Sequence, residues 1–266
     1  MTDFNQGTPE PTPPEPTVVT PSETSTQVGV KLIGNKPPRP IVTYVLIGVT
    51  LLVFIVQLFT EMPNGLNLPL LFLGKINNLI LGGEIWRLIT PIMVHGSPIH
   101  IAFNMYALFV IGSRVEPVYG HARFLVLYLL AAFGGNVLSF VMSPNISVGA
   151  STAIFGLLAA EIALYVQNRK FFGAQLRSIL LNFGMLLAVN LSIGLVPGSR
   201  IDQFGHIGGL IAGFIFAMLA GPKWTLKRVE GGVSLSDTRE SRDIWMATAL
   251  VLVAFGVMAA IPFLTA

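Results

Sequence analysis

Apolar residues in this chain come in long blocks. A helix that crosses a membrane needs about 20 mostly apolar residues, and seven stretches approach that length: 41–60, 98–115, 122–142, 150–167, 176–195, 204–220 and 244–264. The second is short and the most polar, because it carries His100 and Asn104. Residues 1–40 break the pattern. They hold half of the chain's 18 prolines, many Ser and Thr residues, and four acids with no basic residue before Lys31. Such a segment buries too little apolar surface to offset chain entropy, so a disordered tail is expected. It lacks the basic start of a signal or transit peptide. The pattern predicts an all-α polytopic membrane protein.

Composition agrees. The chain of 266 residues is 53% hydrophobic and 11% charged, whereas a soluble domain carries roughly a quarter charged residues. The formal charge is only +3, and the basic residues sit in short clusters beside apolar blocks, so nucleic acid is not an expected partner. The absence of cysteine excludes disulfides and thiolate chemistry. Lys31, Lys36 and Arg39 precede the first block and place that end inside. Alternation through seven helices then leaves only Lys75, Arg87 and Arg200 of the basic residues outside. This topology suggests a bacterial plasma membrane, an organelle membrane being the alternative, with the last helix ending on the outer side.

The second, fourth and sixth helices therefore enter from the outer face. His100 and Asn104 fall in the first turns of the second, Ser151 in the first turn of the fourth and His206 in that of the sixth. Four polar groups share one depth, roughly 5–10 Å below the surface at 1.5 Å per residue. A serine in such a helix is ordinarily a packing residue; a histidine at the same depth makes a nucleophile with its base the competing reading. Gly205, Gly209 and Gly213 recur every fourth residue with Gly208 beside them, and Ala153, Gly156 and Ala160 offer a small surface on the fourth helix. If these faces pack, Ser151 Oγ and the His206 ring come within hydrogen-bond distance. His100 and Asn104, four apart, share a face; they are either oxyanion donors or a polar pair holding helices together. Phe155, one turn after Ser151, is placed to stack on the imidazole.

These residues resemble the rhomboid family of intramembrane serine proteases. The resemblance rests on Trp86-Arg87 with Thr90, on His95, His100 and Asn104, on Glu116 and Gly120, on Gly149-Ala-Ser151 with Phe155-Gly156, and on Gly205-His206-Ile-Gly-Gly with Gly213. It covers about residues 41–220, a rhomboid-like six-helix core, and leaves 221–243 as an inner linker and 244–266 as an additional transmembrane helix. It implies a Ser151–His206 dyad, an oxyanion site from His100 and Asn104, and supporting roles for Phe155, Gly149, Trp86 and Arg87. It also implies transmembrane-helix substrates and no metal or organic cofactor. Thr152 stands where many members carry glycine.

Several polar residues are read more plainly. Asp202 lies four before His206; N-capping is preferred over a third catalytic group. Glu161 is expected to reach a polar neighbour, His121 to be solvated, and His95 to make structural hydrogen bonds. Two other classes compete with a protease. A non-catalytic relative would bind membrane helices without Ser or His, and a transporter would show an inverted repeat with polar groups near the midplane.

Overall fold

The protein, a computed structural model, is described over residues 38–194, 201–230 and 232–265. Positions 1–37 of the expected tail and Arg200 lie outside the described residues. Helix α1 (Ile41–Phe59) leads into a long connection holding α2 (Leu68–Leu73), α3 (Asn77–Leu81) and two 3-10 turns, Ile85–Leu88 and Thr90–Met93. Then follow α4 (Pro98–Tyr119), α5 (His121–Met142), α6 (Ser151–Gln167), α7 (Gln175–Gly194), α8 (Gln203–Ala220) and α9 (Ser241–Thr265). All seven apolar blocks are helical. By length and composition, α1, α5, α8 and α9 can cross a membrane, and α6 is apolar but shorter. α4 and α7 do not reach that measure, α4 because it carries His100, Asn104, Arg114 and Glu116. Of these, Asn104 and Glu116 are turned inward and buried.

The end at which α4, α6 and α8 begin is called the upper end below. At the centre stand α5, α6 and α8. α6 buries nearly all its residues from Thr152 to Leu164, so protein rather than lipid surrounds it. Its 17 residues span only ~25 Å, less than the ~30 Å of hydrocarbon. A helix enclosed by neighbours can start below their ends without exposing backbone to lipid. α1 and α9 form the rim and expose Leu52, Phe59, Val253 and Val257. Water would penalise that rim; lipid tails are as apolar as leucine.

The α6–α8 seam depends on missing side chains. A Cβ on Gly213 would lie 2.5 Å from the Cα and carbonyl oxygen of Gly156, and one on Gly208 would lie 2.5 Å from the Gly134 carbonyl oxygen of α5. A Cβ on Gly209 would collide with the Thr152 carbonyl. The partner surface on α6 thus includes Thr152 together with the Gly156 expected from sequence. Residues 152 and 156 are one turn apart and stack on one face.

The linker expected over 221–243 carries an antiparallel hairpin, β1 (Trp224–Val229) and β2 (Gly232–Asp237), with Leu226 opposite Leu235. Asn168, beyond the end of α6, anchors it: Nδ2 donates to the Pro222 carbonyl at 2.9 Å and Oδ1 accepts from the Trp224 N–H at 2.7 Å. Arg123 Nη1 donates to Asp237 at 2.8 Å. The signal in the sequence was Val229-Glu-Gly-Gly-Val233, a turn dipeptide between two short runs rich in β-formers.

Candidate active site

The long connection between α1 and α4 builds the upper end. Arg87 is buried and spends its guanidinium on Glu84 Oε2 at 2.7 Å, the Gly74 carbonyl at 2.8 Å and the Leu71 carbonyl at 2.5 Å. These carbonyls end α2, where a helix leaves its last acceptors unpaired. Trp86 Nε1 donates to the Phe72 carbonyl at 3.0 Å while its ring stays exposed, and Thr90 Oγ1 donates to the Leu73 carbonyl at 2.8 Å. The connection then reaches the chain entering α6: the Gly149 N–H donates to the Pro91 carbonyl at 2.9 Å.

Ser151 opens α6 and is half-buried. His206 lies one turn into α8, buried, with Nε2 2.8 Å from Ser151 Oγ. Phe155 lies under the imidazole, ring centroids 4.2 Å apart and planes 10° from parallel. The stack supports one face of the ring, and its Nε2 faces the hydroxyl. Asp202 Oδ1 accepts the Gly205 N–H at 2.9 Å, the N-cap of α8. Among the described residues Nδ1 of His206 has no hydrogen-bond partner.

Gly149 has φ +123°, a conformation that residues with a Cβ rarely adopt. A Cβ there would also lie 2.8 Å from His100 Cε1 and Nε2 and 3.6 Å from Ser151 Oγ. The His100 imidazole therefore borders the space beside the serine. Its Nδ1 accepts the Gly96 N–H at 3.4 Å, which assigns the ring proton to Nε2, on the Gly149 side. Asn104 is buried and gives one Nδ2 hydrogen to the His100 carbonyl at 2.9 Å; an amide carries a second donor. Gly149→Ala should lower turnover more than tenfold with little change in substrate binding, measured as kcat against KM; unchanged turnover would show the cleft tolerates a methyl group. Thr152 fits because its Cγ2 occupies the gap between Gly135 and Gly205.

His95 supports this loop from behind. Its Nε2 accepts the Ala150 N–H at 3.3 Å, and its backbone forms a two-way pair with the Gln57 amide of α1 at 3.0 and 3.1 Å. Sequence reasoning missed Gln57, although a glutamine inside an apolar 19-residue helix was the signal. Burial, with His100 nearby, pushes His95 down to about 3, so the ring is neutral and its lone pair stays on Ala150. The unfolded ring protonates near 6.5. Between those values the unfolded state binds more protons, so stability falls as pH drops below about 6.5, by at most ~1.4 kcal/mol per pH unit from this group. Thermal unfolding of wild type and His95→Gln from pH 7.5 to 4.5 should show a steeper loss in wild type.

One polar residue lies differently from expectation, and the others find partners. His121, expected in solvent, has Nδ1 2.6 Å from Glu116 Oε1. The cause is Gly120, with φ +78°, which reverses the chain in one residue and folds α5's start onto α4's end. Glu116 is fully buried and also accepts from the N–H groups of Val42 and Thr43 at 2.8 and 2.7 Å. A carboxylate at those first-turn donors caps α1 from a neighbouring helix. Glu161 reaches Arg114 of α4, Nε to Oε1 at 2.8 Å and Nη2 to Oε2 at 2.9 Å.

The family model described as Rhomboid domain matches residues 82–223. Among curated proteins, the chain is 43% identical over 183 residues to "Rhomboid protease GluP" of Bacillus subtilis, covering 69% of this chain and 35% of that protein. It is 40% identical over 139 residues to "RHOMBOID-like protein 6, mitochondrial" of Arabidopsis thaliana, covering 52% and 44%. With "RHOMBOID-like protein 4" of the same plant it shares 35% over 198 residues, covering 72% and 50%. The chain thus spans a third to a half of the length of these relatives.

Proposed function

Because the chain belongs to the rhomboid family, we propose that it is an intramembrane serine endopeptidase that cuts transmembrane substrates near the outer face through Ser151 and His206. The observation that carries the reading is the 2.8 Å contact between Ser151 Oγ and His206 Nε2, made at the start of an enclosed helix. His206 Nε2 takes the hydroxyl proton as Oγ bonds to the scissile carbonyl carbon. The tetrahedral oxyanion is met by the Ser151 N–H at the N-terminus of α6, by His100 Nε2–H and by the free hydrogen of Asn104 Nδ2. When the C–N bond breaks, protonated His206 gives its proton to the leaving amine. His206 then deprotonates a water that attacks the acyl carbon, and Ser151 leaves with the proton.

The substrates are membrane proteins with one helix presented to the upper end. That helix must unwind locally, because its carbonyls are already paired in lipid; glycine or proline near the outer interface lowers that barrier. The bias of the basic residues supports a start of α1 inside and an upper end outside, and a bacterial plasma membrane is the setting proposed. No metal or organic cofactor takes part in this scheme.

The test is reconstitution with a transmembrane substrate in liposomes and mass spectrometry of the products. The proposal expects two fragments joined near the outer third of the substrate helix, and none with His206→Ala. A substrate that binds and stays intact would overturn it in favour of a helix-binding protein.

A further inference from the structure

Lys75, between α2 and α3, is fully buried, which a lysine seldom is unless its ammonium is paired. Its partners are carbonyls: Nζ donates to Ser143 and to Asn145, each at 2.8 Å. Ser143 is the C-cap of α5, where unpaired carbonyls and the negative end of the helix dipole favour a cation. The Lys75 backbone pairs with Ser147 in both directions, at 3.0 and 3.2 Å. Asn77 Nδ2 adds a second donor to the Ser143 carbonyl at 3.0 Å. Two residues beyond Ser147 comes Gly149, and two beyond that Ser151.

Burial pushes Lys75 down to about 8 while the Asp202 carboxylate pulls it up. Asp202 is the N-cap of the helix that presents His206. The other charged group beside Lys75 is Arg87, bound to the Gly74 carbonyl.

We propose that Lys75 is a positioning residue that sets the Ser151–His206 separation by clamping residues 143–147, which lead into α6, to the connection between α1 and α4. The inference rests on the reading of Ser151 and His206 as the catalytic pair. A misplacement of about 1 Å is enough to cost roughly a hundredfold in rate, so a clamp one short segment away from the nucleophile acts on turnover. Methionine at position 75 fills a similar volume and takes the ammonium from both carbonyls, leaving Ser143 with the Asn77 amide as its side-chain donor.

The experiment uses the full chain in liposomes with a transmembrane substrate. Lys75→Met should lower kcat by about ten- to a hundredfold with KM within about threefold, and should speed hydrogen exchange at the Ser147 and Gly149 amides. Lys75→Arg, which keeps a cation and its donors, should recover most of kcat. Should Lys75→Met fail to fold, the pH profile of the wild type serves. Above the Lys75 value of about 8 the clamp loses its charge, and kcat should fall in wild type but not in Lys75→Arg. Fold stability moves the other way: the folded value lies below the 10.5 of a free lysine, so deprotonation favours the fold as pH rises between them. A rate that falls while the fold gains stability reports positioning. Wild-type kcat in Lys75→Met, or identical alkaline profiles in wild type and Lys75→Arg, would overturn the inference. If Ser151→Ala also cleaved normally, the catalytic reading itself would fail; if Ser151→Ala were inert, only the role of Lys75 would.

Discussion

Ser151→Ala should lower cleavage by roughly 10⁴- to 10⁶-fold, the scale on which loss of a serine nucleophile is felt in other serine proteases. The residual rate is what the oxyanion donors and substrate binding supply alone. Stability should hardly move. The hydroxyl's hydrogen-bond contact is His206 Nε2, the residue is half-buried, and alanine is a good helix residue at the first position of α6. A thermal transition within a few degrees of wild type, beside a collapsed kcat/KM, is the expected pair of results. His206→Ala is a less clean probe, because it also removes a ring stacked on Phe155, an interaction worth about 0.5–1.5 kcal/mol. An unchanged rate in Ser151→Ala would remove the nucleophile from the scheme.

Gly209→Val should abolish both packing and activity. The new Cβ would be driven into the Thr152 carbonyl, which is helix backbone one residue past the serine and cannot rotate aside. α8 must then back away from α6 and carry His206 with it. Overpacking of this kind destabilises by about 1–3 kcal/mol, occasionally more, and the separation of Oγ from Nε2 should reduce cleavage at least a hundredfold. Gly184→Ala on α7 is the control: a Cβ there meets nothing within 4 Å, so it should leave activity intact and gain up to ~1 kcal/mol from helix propensity. Thermal unfolding and cleavage rates of the two variants, measured side by side, separate the seam from a general intolerance of α-helical glycine. Equal behaviour would contradict the close-approach account.

Much of this architecture was written in the spacing of apolar blocks, because a membrane imposes one helix length on every crossing. The 204–220 block is α8 at Gln203–Ala220 and the 122–142 block is α5 at His121–Met142. The meeting of Ser151 and His206 was also visible, through topology and the four-residue glycine repeat. What stayed hidden is which backbone groups the scaffolding around them uses. Lys75, Asn77, Arg87 and Gly149 act on or through backbone carbonyls, of Ser143, Phe140, Leu71 and Pro91 among others. A carbonyl is present at every residue, so no side-chain pattern marks the one that is used. The part Thr152 plays on the α6 face was not legible, because its methyl group fills a gap that exists only where Gly135 and Gly205 approach it. The β1–β2 hairpin escaped because a two-stranded element carries little periodicity to detect.

The central claim is that Ser151 is made nucleophilic by His206. The most direct measurement is labelling of the reconstituted protein with a fluorophosphonate, followed by mass-spectrometric mapping, in wild type and in the His206→Ala variant. The account predicts one adduct, on Ser151 Oγ, in wild type and its near-complete loss in the variant. An adduct on another residue, or equal labelling of Ser151 without the imidazole, would contradict it.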